Sequence, residues 1–285
     1  RLAKKSLAAG KHTLIEKPMA ASVAQCLELK ELAEKKGLTL MVGHTFLYSQ
    51  PVRLIKEIVK QGDLGDSLYY ISARRLNLGL FQRDINVTWD LAPHDISIIL
   101  FVMDAKPVSV NCQGKSHVNK GVEDITNMTI DFSNGGFATI KSSWLDPNKI
   151  REMTFVGSKR MLVYNDLEPN EKVKIYDKRV ETPPHYDTFA DFQHAYHYGD
   201  MYSPYIKQDE PLKIECRHFL DCIKSGEAPL TCADESLRVV QILEAASESL
   251  RNGGDRVELE KKKTTRKAAG KAAGTHRTPG IHPRP

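Results

Sequence analysis

The stretch His12-Thr13-Leu14-Ile15-Glu16-Lys17-Pro18 decides how this chain is read. A short apolar strand runs into a Glu-Lys-Pro corner, where Pro18 removes an N–H and restricts Lys17 to extended backbone. Upstream, Leu2, Lys5 and Leu7 followed by Gly10 have the pattern of the last turns of a helix and its stop signal. Downstream, Val23, Cys26, Leu27, Leu29, Leu32 and Ala33 recur at helical spacing between a Ser22 N-cap and a Gly37 C-cap. Thr39-Leu40-Met41-Val42 then forms a second short strand that ends at Gly43-His44. Strand, helix and strand at this spacing predict a right-handed crossover between parallel strands. Residues 1–44 therefore read as the trailing part of a doubly wound parallel sheet, of the Rossmann type.

Beyond them the pattern changes. Residues 50–61 form an amphipathic helix closed by Gly62, and residues 67–75 form a strand with Tyr69, Ile71 and Ala73 on one face. A loop rich in Asn, Gly and Arg leads to Trp89-Asp90 and a helix over 91–103. Residues 108–118, 124–132, 137–145, 151–156, 161–164 and 172–176 are strands, with Ser133-Asn134-Gly135-Gly136 and Gly157-Ser158-Lys159-Arg160 as hairpin turns. Consecutive hairpins imply an antiparallel sheet. A long Pro/Tyr/His-rich connection over 181–212 precedes helices at 214–224 and 233–251. The fold class is α/β plus α+β, a partial Rossmann sheet followed by a large open, mainly antiparallel sheet with flanking helices. The expected division is 1–44, 45–260 and a basic tail, 261–285.

The chain has 285 residues, 41% of them hydrophobic and 27% charged, a globular composition. No apolar run approaches the ~18 residues of a membrane helix, so no membrane partner is expected. Five scattered cysteines without a CxxC pair argue against a disulfide framework or zinc ribbon and fit a reducing, cytoplasmic setting. The formal charge of +5 is a property of the tail. Eight of the 41 Lys and Arg, and none of the 36 Asp and Glu, lie beyond residue 260, which leaves the body at 33 against 36 and mildly acidic. That tail is low in apolar residues and reads as a solvated extension, with weak attachment to nucleic acid as its alternative.

Lys17 lies just past the carboxyl end of a parallel strand, the edge where open α/β sheets bind ligands. It reads either as a lysine that donates to a substrate oxygen or as a solvated loop residue. Asp90 and His94 are four apart, so on a helix they share a face as a base and its orienting partner. Alternatively, Asp90 is the N-cap of the helix that follows and His94 a partly buried structural histidine. His185, His194, His197, Cys216, His218 and Cys222 lack the paired spacing of a zinc module, and no metal is expected. Tyr186, Tyr196, Tyr198, Tyr202 and Tyr205 suit stacking on a sugar or packing at a subunit interface.

With these residues in place, a resemblance is plain. Ala8-Ala9-Gly10-Lys11 followed by 12–18 resembles the EKP strand of the Gfo/Idh/MocA oxidoreductases, and Met41-Val42-Gly43-His44 resembles the last Rossmann strand of that family. Trp89-Asp90-Leu91-Ala92-Pro93-His94-Asp95 is similar to its D-x-x-x-H segment. The resemblance covers about residues 1–260. It implies an enzyme that uses NAD or NADP to oxidise or reduce a ring hydroxyl of a sugar, inositol or nucleotide sugar. Lys17 would polarise the reacting hydroxyl, His94 would be its general base and Asp90 would orient His94. Glu16, Lys17 and His44 would face the cofactor, and Arg75 and Trp89 the substrate. Residues 75–79 and 89–94 resemble members that act on the 3-hydroxyl of a UDP-N-acetylhexosamine. The resemblance further implies that a first strand with a G-x-G-x-x-G turn would precede residue 1, since no glycines of this chain form that turn, and that copies associate through the open sheet. Alternatives are a non-catalytic sugar-binding or oligomerisation module, and nucleic-acid attachment through the tail.

Overall fold

The computed structural model describes residues 1–181, 195–207 and 209–259. Its first unit follows from capping and burial. Helix α1 (Leu2–Ala8) leads into strand β1 (Thr13–Glu16), helix α2 (Val23–Lys36) and strand β2 (Leu40–Gly43). The Ser22 hydroxyl caps α2 by accepting from Gln25 N, and Gly37 ends it in the left-handed conformation at φ 62°, where a side chain would be strained. β1 and β2 pair in parallel from Thr13 opposite Leu40 to Glu16 opposite Gly43. A small core of Leu7, Cys26, Leu29, Leu40 and Val42 seals the layer.

Helix α3 (Gln50–Lys60), strand β3 (Leu68–Leu76) and helix α4 (Val87–Met103) follow a single 3-10 turn at Thr45–Tyr48. Strands β4 (Pro107–Lys115), β5 (Ile125–Phe132), β6 (Phe137–Ser143), β7 (Ile150–Gly157), β8 (Met161–Asn165), β9 (Val173–Glu181) and β10 (Ala195–Tyr202) come next. Helices α5 (Pro211–Ser225) and α6 (Ala233–Arg251) and the short β11 (Val257–Glu258) complete the described chain. The large sheet has nine strands in the order β10-β9-β8-β7-β3-β6-β5-β4-β11.

The sheet is mainly antiparallel, as expected, and its one parallel pair among the described residues involves β3. β3 inserts between β6 and β7, antiparallel to β7 and parallel to β6. The face of β3 also differs from simple alternation. An irregularity between Leu68 and Tyr70 puts Leu68 into the core beside Ile71 and Ala73, leaving Tyr69 55% exposed. β10 is a strand where a connection is expected, because almost all of its residues are exposed and it shows no apolar alternation to read.

α4 and α6 cover the inner face of this sheet, where Ile96, Ile99, Ile130, Phe155, Ile242 and Leu243 are fully buried. Main-chain ties join the units at β2. Met41 bridges Cys232 at the start of α6, and Val42 N donates to Thr231 O at 3.0 Å. The carboxyl ends of β1 and β2 thereby face the amino-terminal half of α4.

Candidate active site

α4 begins four residues earlier than its apolar pattern suggests. Asn86 caps it, accepting from Trp89 N at 3.2 Å, so Asp90 is inside the first turn and is not the N-cap. Pro93 then falls within the helix and leaves the Trp89 carbonyl without its i+4 donor. Lys17, one residue past β1, reaches this turn from the other unit: its Nζ donates to the Asp90 carbonyl oxygen at 2.7 Å. Burial lowers the Lys17 pKa below the usual lysine value, against the opposing pull of Asp90.

Asp90 and His94 share a face of α4, but no hydrogen bond joins them among the described residues. The Asp90 carboxylate instead accepts from the Trp144 indole at 2.9 Å. The His94 ring packs edge-on to Phe46 at 5.2 Å, and its Nδ1 is buried without a partner. Burial, followed by the positive charges of Arg75 and Lys17, holds the His94 pKa down at about 2. The imidazole is therefore neutral, with an unused ring nitrogen.

Arg75, expected to meet substrate, is 7% exposed and forks onto Asp95, Nε to Oδ2 at 2.9 Å and Nη2 to Oδ1 at 2.8 Å. Its guanidinium also stacks over Phe46 at 5.0 Å. Arg75 and His94 line a cavity of about 120 Å³ with Phe46, Asn77, Lys149 and Arg151. Trp89 does not line it. Residue 89 projects roughly 100° around the helix from residue 90, and its indole donates to Ser247 of α6 at 2.8 Å.

At the end of β2, His44 is 2% exposed, and neither ring nitrogen has a partner among the described residues. Burial, then the Lys17 charge, lowers its pKa to about 4. Glu16 is exposed on β1 beside Gly43, where a Cβ would stand 3.3 Å from its carboxylate. Sequence patterning missed Glu215 of α5, which is 1% exposed. It accepts from Thr45 Oγ1 at 2.7 Å through one oxygen while the other is unpartnered, and burial raises its pKa. The patterning also missed Phe46, Asp95, Trp144, Lys149 and Arg151. Contacts distant in sequence reveal them, as in the register that sets Arg75 opposite Arg151 and the bond from Trp144 to Asp90.

A nicotinamide dinucleotide can be tested against this site. The orphaned ring nitrogens of His44, with Lys17 and Glu16 at the adjoining strand end, fit the nicotinamide end of such a cofactor. The pyrophosphate end finds no G-x-G-x-x-G turn in this sequence. Among the described residues no cluster of three or more His, Cys, Asp or Glu is arranged to hold a metal ion. His185, His194, Tyr186 and the tail from residue 261 lie outside the described residues, whereas His197 pairs with Asp177 at 3.0 Å. No helix among the described residues is long and apolar enough to cross a membrane.

Comparison with known proteins bears on the fold and the family. Residues 1–44 match the family described as oxidoreductase family, NAD-binding Rossmann fold, and residues 52–163 match the GFO/IDH/MocA C-terminal domain. An uncharacterized oxidoreductase of Streptococcus pneumoniae is 27% identical over 148 residues, covering 46% of this chain and 40% of that protein. The scyllo-inositol 2-dehydrogenase (NAD(+)) of Bacillus subtilis is 22% identical over 255 residues, covering 86% of this chain and 70% of that one. Among solved structures, UDP-N-acetylglucosamine 3-dehydrogenase from Acidithiobacillus ferrooxidans superposes with a TM-score of 0.70 at 22% identity, over 88% of this chain and 75% of that chain. At that identity the likeness is one of fold. The chain thus spans from under half to about three quarters of the proteins it resembles.

Proposed function

The chain belongs to the Gfo/Idh/MocA oxidoreductases, and on that premise we propose that it serves NAD(P)-dependent oxidation or reduction of a ring hydroxyl on a sugar. A nucleotide sugar of the UDP-N-acetylhexosamine 3-dehydrogenase kind is the favoured substrate. One observation carries the reading: Lys17, one residue past β1, donates to the carbonyl of Asp90, one helical turn before His94 on α4, so that a lysine and an imidazole with a free buried ring nitrogen meet at one end of α4.

Each residue then has a task. His94, neutral and with a free ring nitrogen, accepts the hydroxyl proton in the oxidative direction. Lys17 polarises the same oxygen, and the Asp90 carbonyl holds its ammonium in place. Arg75, locked by Asp95, forms a wall of the His94 cavity, and its charge adds to burial, the larger cause, in lowering the His94 pKa. Lys149 and Arg151 bring positive charge to the His94 cavity, which supports a phosphorylated substrate over a neutral polyol. Glu16 and His44 flank the nicotinamide end. When bound, that group supplies the hydride acceptor or donor.

We divide the chain into a cofactor-facing part, 1–44, and a substrate-facing part, 45–260. The outer face of the large sheet carries the stacked pair Tyr70 and Phe137, which supports association of copies through it.

The reading is tested by supplying NAD+ or NADP+ with UDP-N-acetylglucosamine or with inositol and following reduced nicotinamide. Turnover with the nucleotide sugar, lost in His94→Ala, is the expected result. Absence of both turnover and calorimetric cofactor binding would overturn it.

A further inference from the structure

A separate cavity of about 580 Å³ lies where α3, the carboxyl-terminal half of α4 and the start of α6 meet. This volume suits a small molecule. Of the residues clustered around Lys17 and His94, only His44 lines it.

Its chemistry is two-sided. Leu47, Leu100, Phe101 and Val239 give it apolar walls, while Lys56, Lys106 and Arg238 supply cations. These cations are weakly held. Lys56 lies 3.7 Å from Asp104, whose side chain is 89% exposed, and Arg238 lies 3.3 Å from Glu235 with both about half exposed. Exposed pairs of this kind contribute little and exchange readily for another anion. Lys106 has no carboxylate within ion-pair distance among the described residues. The carboxylates of Asp104 and Glu235 also line the cavity, and Asp234 and Glu235 stand in the first turn of α6, so among the described residues the cation without a carboxylate partner there is Lys106. Behind these groups His44 is buried, with both ring nitrogens unpartnered.

We infer that this cavity binds an amphipathic carboxylate, its apolar chain against Leu47, Phe101 and Val239 and its carboxylate between Lys106 and Arg238. The site lies apart from Lys17 and His94 and meets the hydroxyl-oxidising cluster only at His44. Occupancy also changes the surroundings of His44, and through it those of the Lys17 and His94 cluster.

The experiment is calorimetric titration of the full chain with octanoate, with octylammonium and octanol as charge-reversed and neutral controls. In parallel, the imidazole resonance of His44 is followed after assignment with His44→Gln. Saturable one-to-one binding of octanoate alone, with a shift of His44, is the expected result. Reversing both rim charges in Lys106→Glu/Arg238→Glu removes charge-assisted contacts and should weaken octanoate by about tenfold or more. Ala105→Trp, which narrows the cavity without altering its charge, should abolish binding. The inference fails if octanoate gives no saturable heat, if the three probes bind alike, or if both variants bind as the parent does.

Discussion

Lys17 and Asp90 meet through the main chain of one and the side chain of the other: the ammonium donates to the carbonyl oxygen at 2.7 Å, across 73 residues of sequence. The contact ties the end of β1 to α4 and sets a cation beside His94. Lys17→Met should therefore lower turnover by about a hundredfold or more, the usual scale for a lost acid–base or polarising group. It should also raise the His94 pKa, because a depressing charge is gone. Steady-state kinetics and the His94 imidazole resonance check the two effects separately. Unchanged turnover would remove Lys17 from the chemistry.

Much of this arrangement was legible before the structure, and the parts that were not share a cause. Ser22, Gly37 and the two short strands announce the βαβ unit because caps and apolar runs are local signals. Lys17, Asp90 and His94 stand out by motif spacing, which is also local. The Asp90–Trp144 and Arg75–Asp95 bonds were not, since each depends on which strand lies beside β3. The parallel β3–β6 pair is a long-range choice that hairpin patterns cannot express. Asn86 does not stand out as a cap, because Asp90, directly before a run of apolar residues, is an equally good one on sequence grounds.

Trp89 and Trp144 separate two roles that spacing merges. Trp144→Phe leaves the Asp90 carboxylate without its indole donor and should cost about 1–3 kcal/mol of stability, with an accompanying rise in KM as the Lys17 anchor loosens. Trp89→Phe removes only the bond to Ser247 and should cost about 1 kcal/mol with KM unchanged. Urea unfolding and substrate titration of both variants provide the measurement. A raised KM in Trp89→Phe would restore Trp89 as a substrate contact.

The Arg75–Asp95 pair is buried and bidentate, so breaking one side should be severe. Asp95→Asn leaves a guanidinium uncompensated in the core and should destabilise by about 3–5 kcal/mol, whereas Arg75→Met/Asp95→Leu should recover most of that loss. The double variant should nevertheless raise the His94 pKa, because the cation above the cavity has been removed. Denaturant midpoints of Arg75→Met, Asp95→Leu and the double, combined as a cycle, give the coupling. Additive single and double effects would show that the pair is not a unit.

His44 and His94 together predict a pH dependence of stability with a definite sign. Each has an ordinary value of 6.5 in the unfolded chain, and the fold lowers them to about 4 and about 2. The unfolded chain therefore binds more protons as pH falls through 6.5, and the folded chain does not follow until the lowered values are reached. Stability from these groups is complete above pH 6.5 and drains away below it, by ~1.4 kcal/mol per pH unit for each histidine that resists protonation. Below pH 4 the His44 contribution levels off and that of His94 continues. After burial, the charges that act on His94 are Arg75, Lys17, His44 and Arg151 and the one that acts on His44 is Lys17, and each lowers the pKa, so the sign is the same for both. His44→Phe should reduce the slope between pH 4 and 6.5 by about one proton, and His44→Phe/His94→Leu by about two. Urea midpoints measured across that range supply the slopes; equal slopes in parent and double variant would mean that neither imidazole is held neutral by the fold.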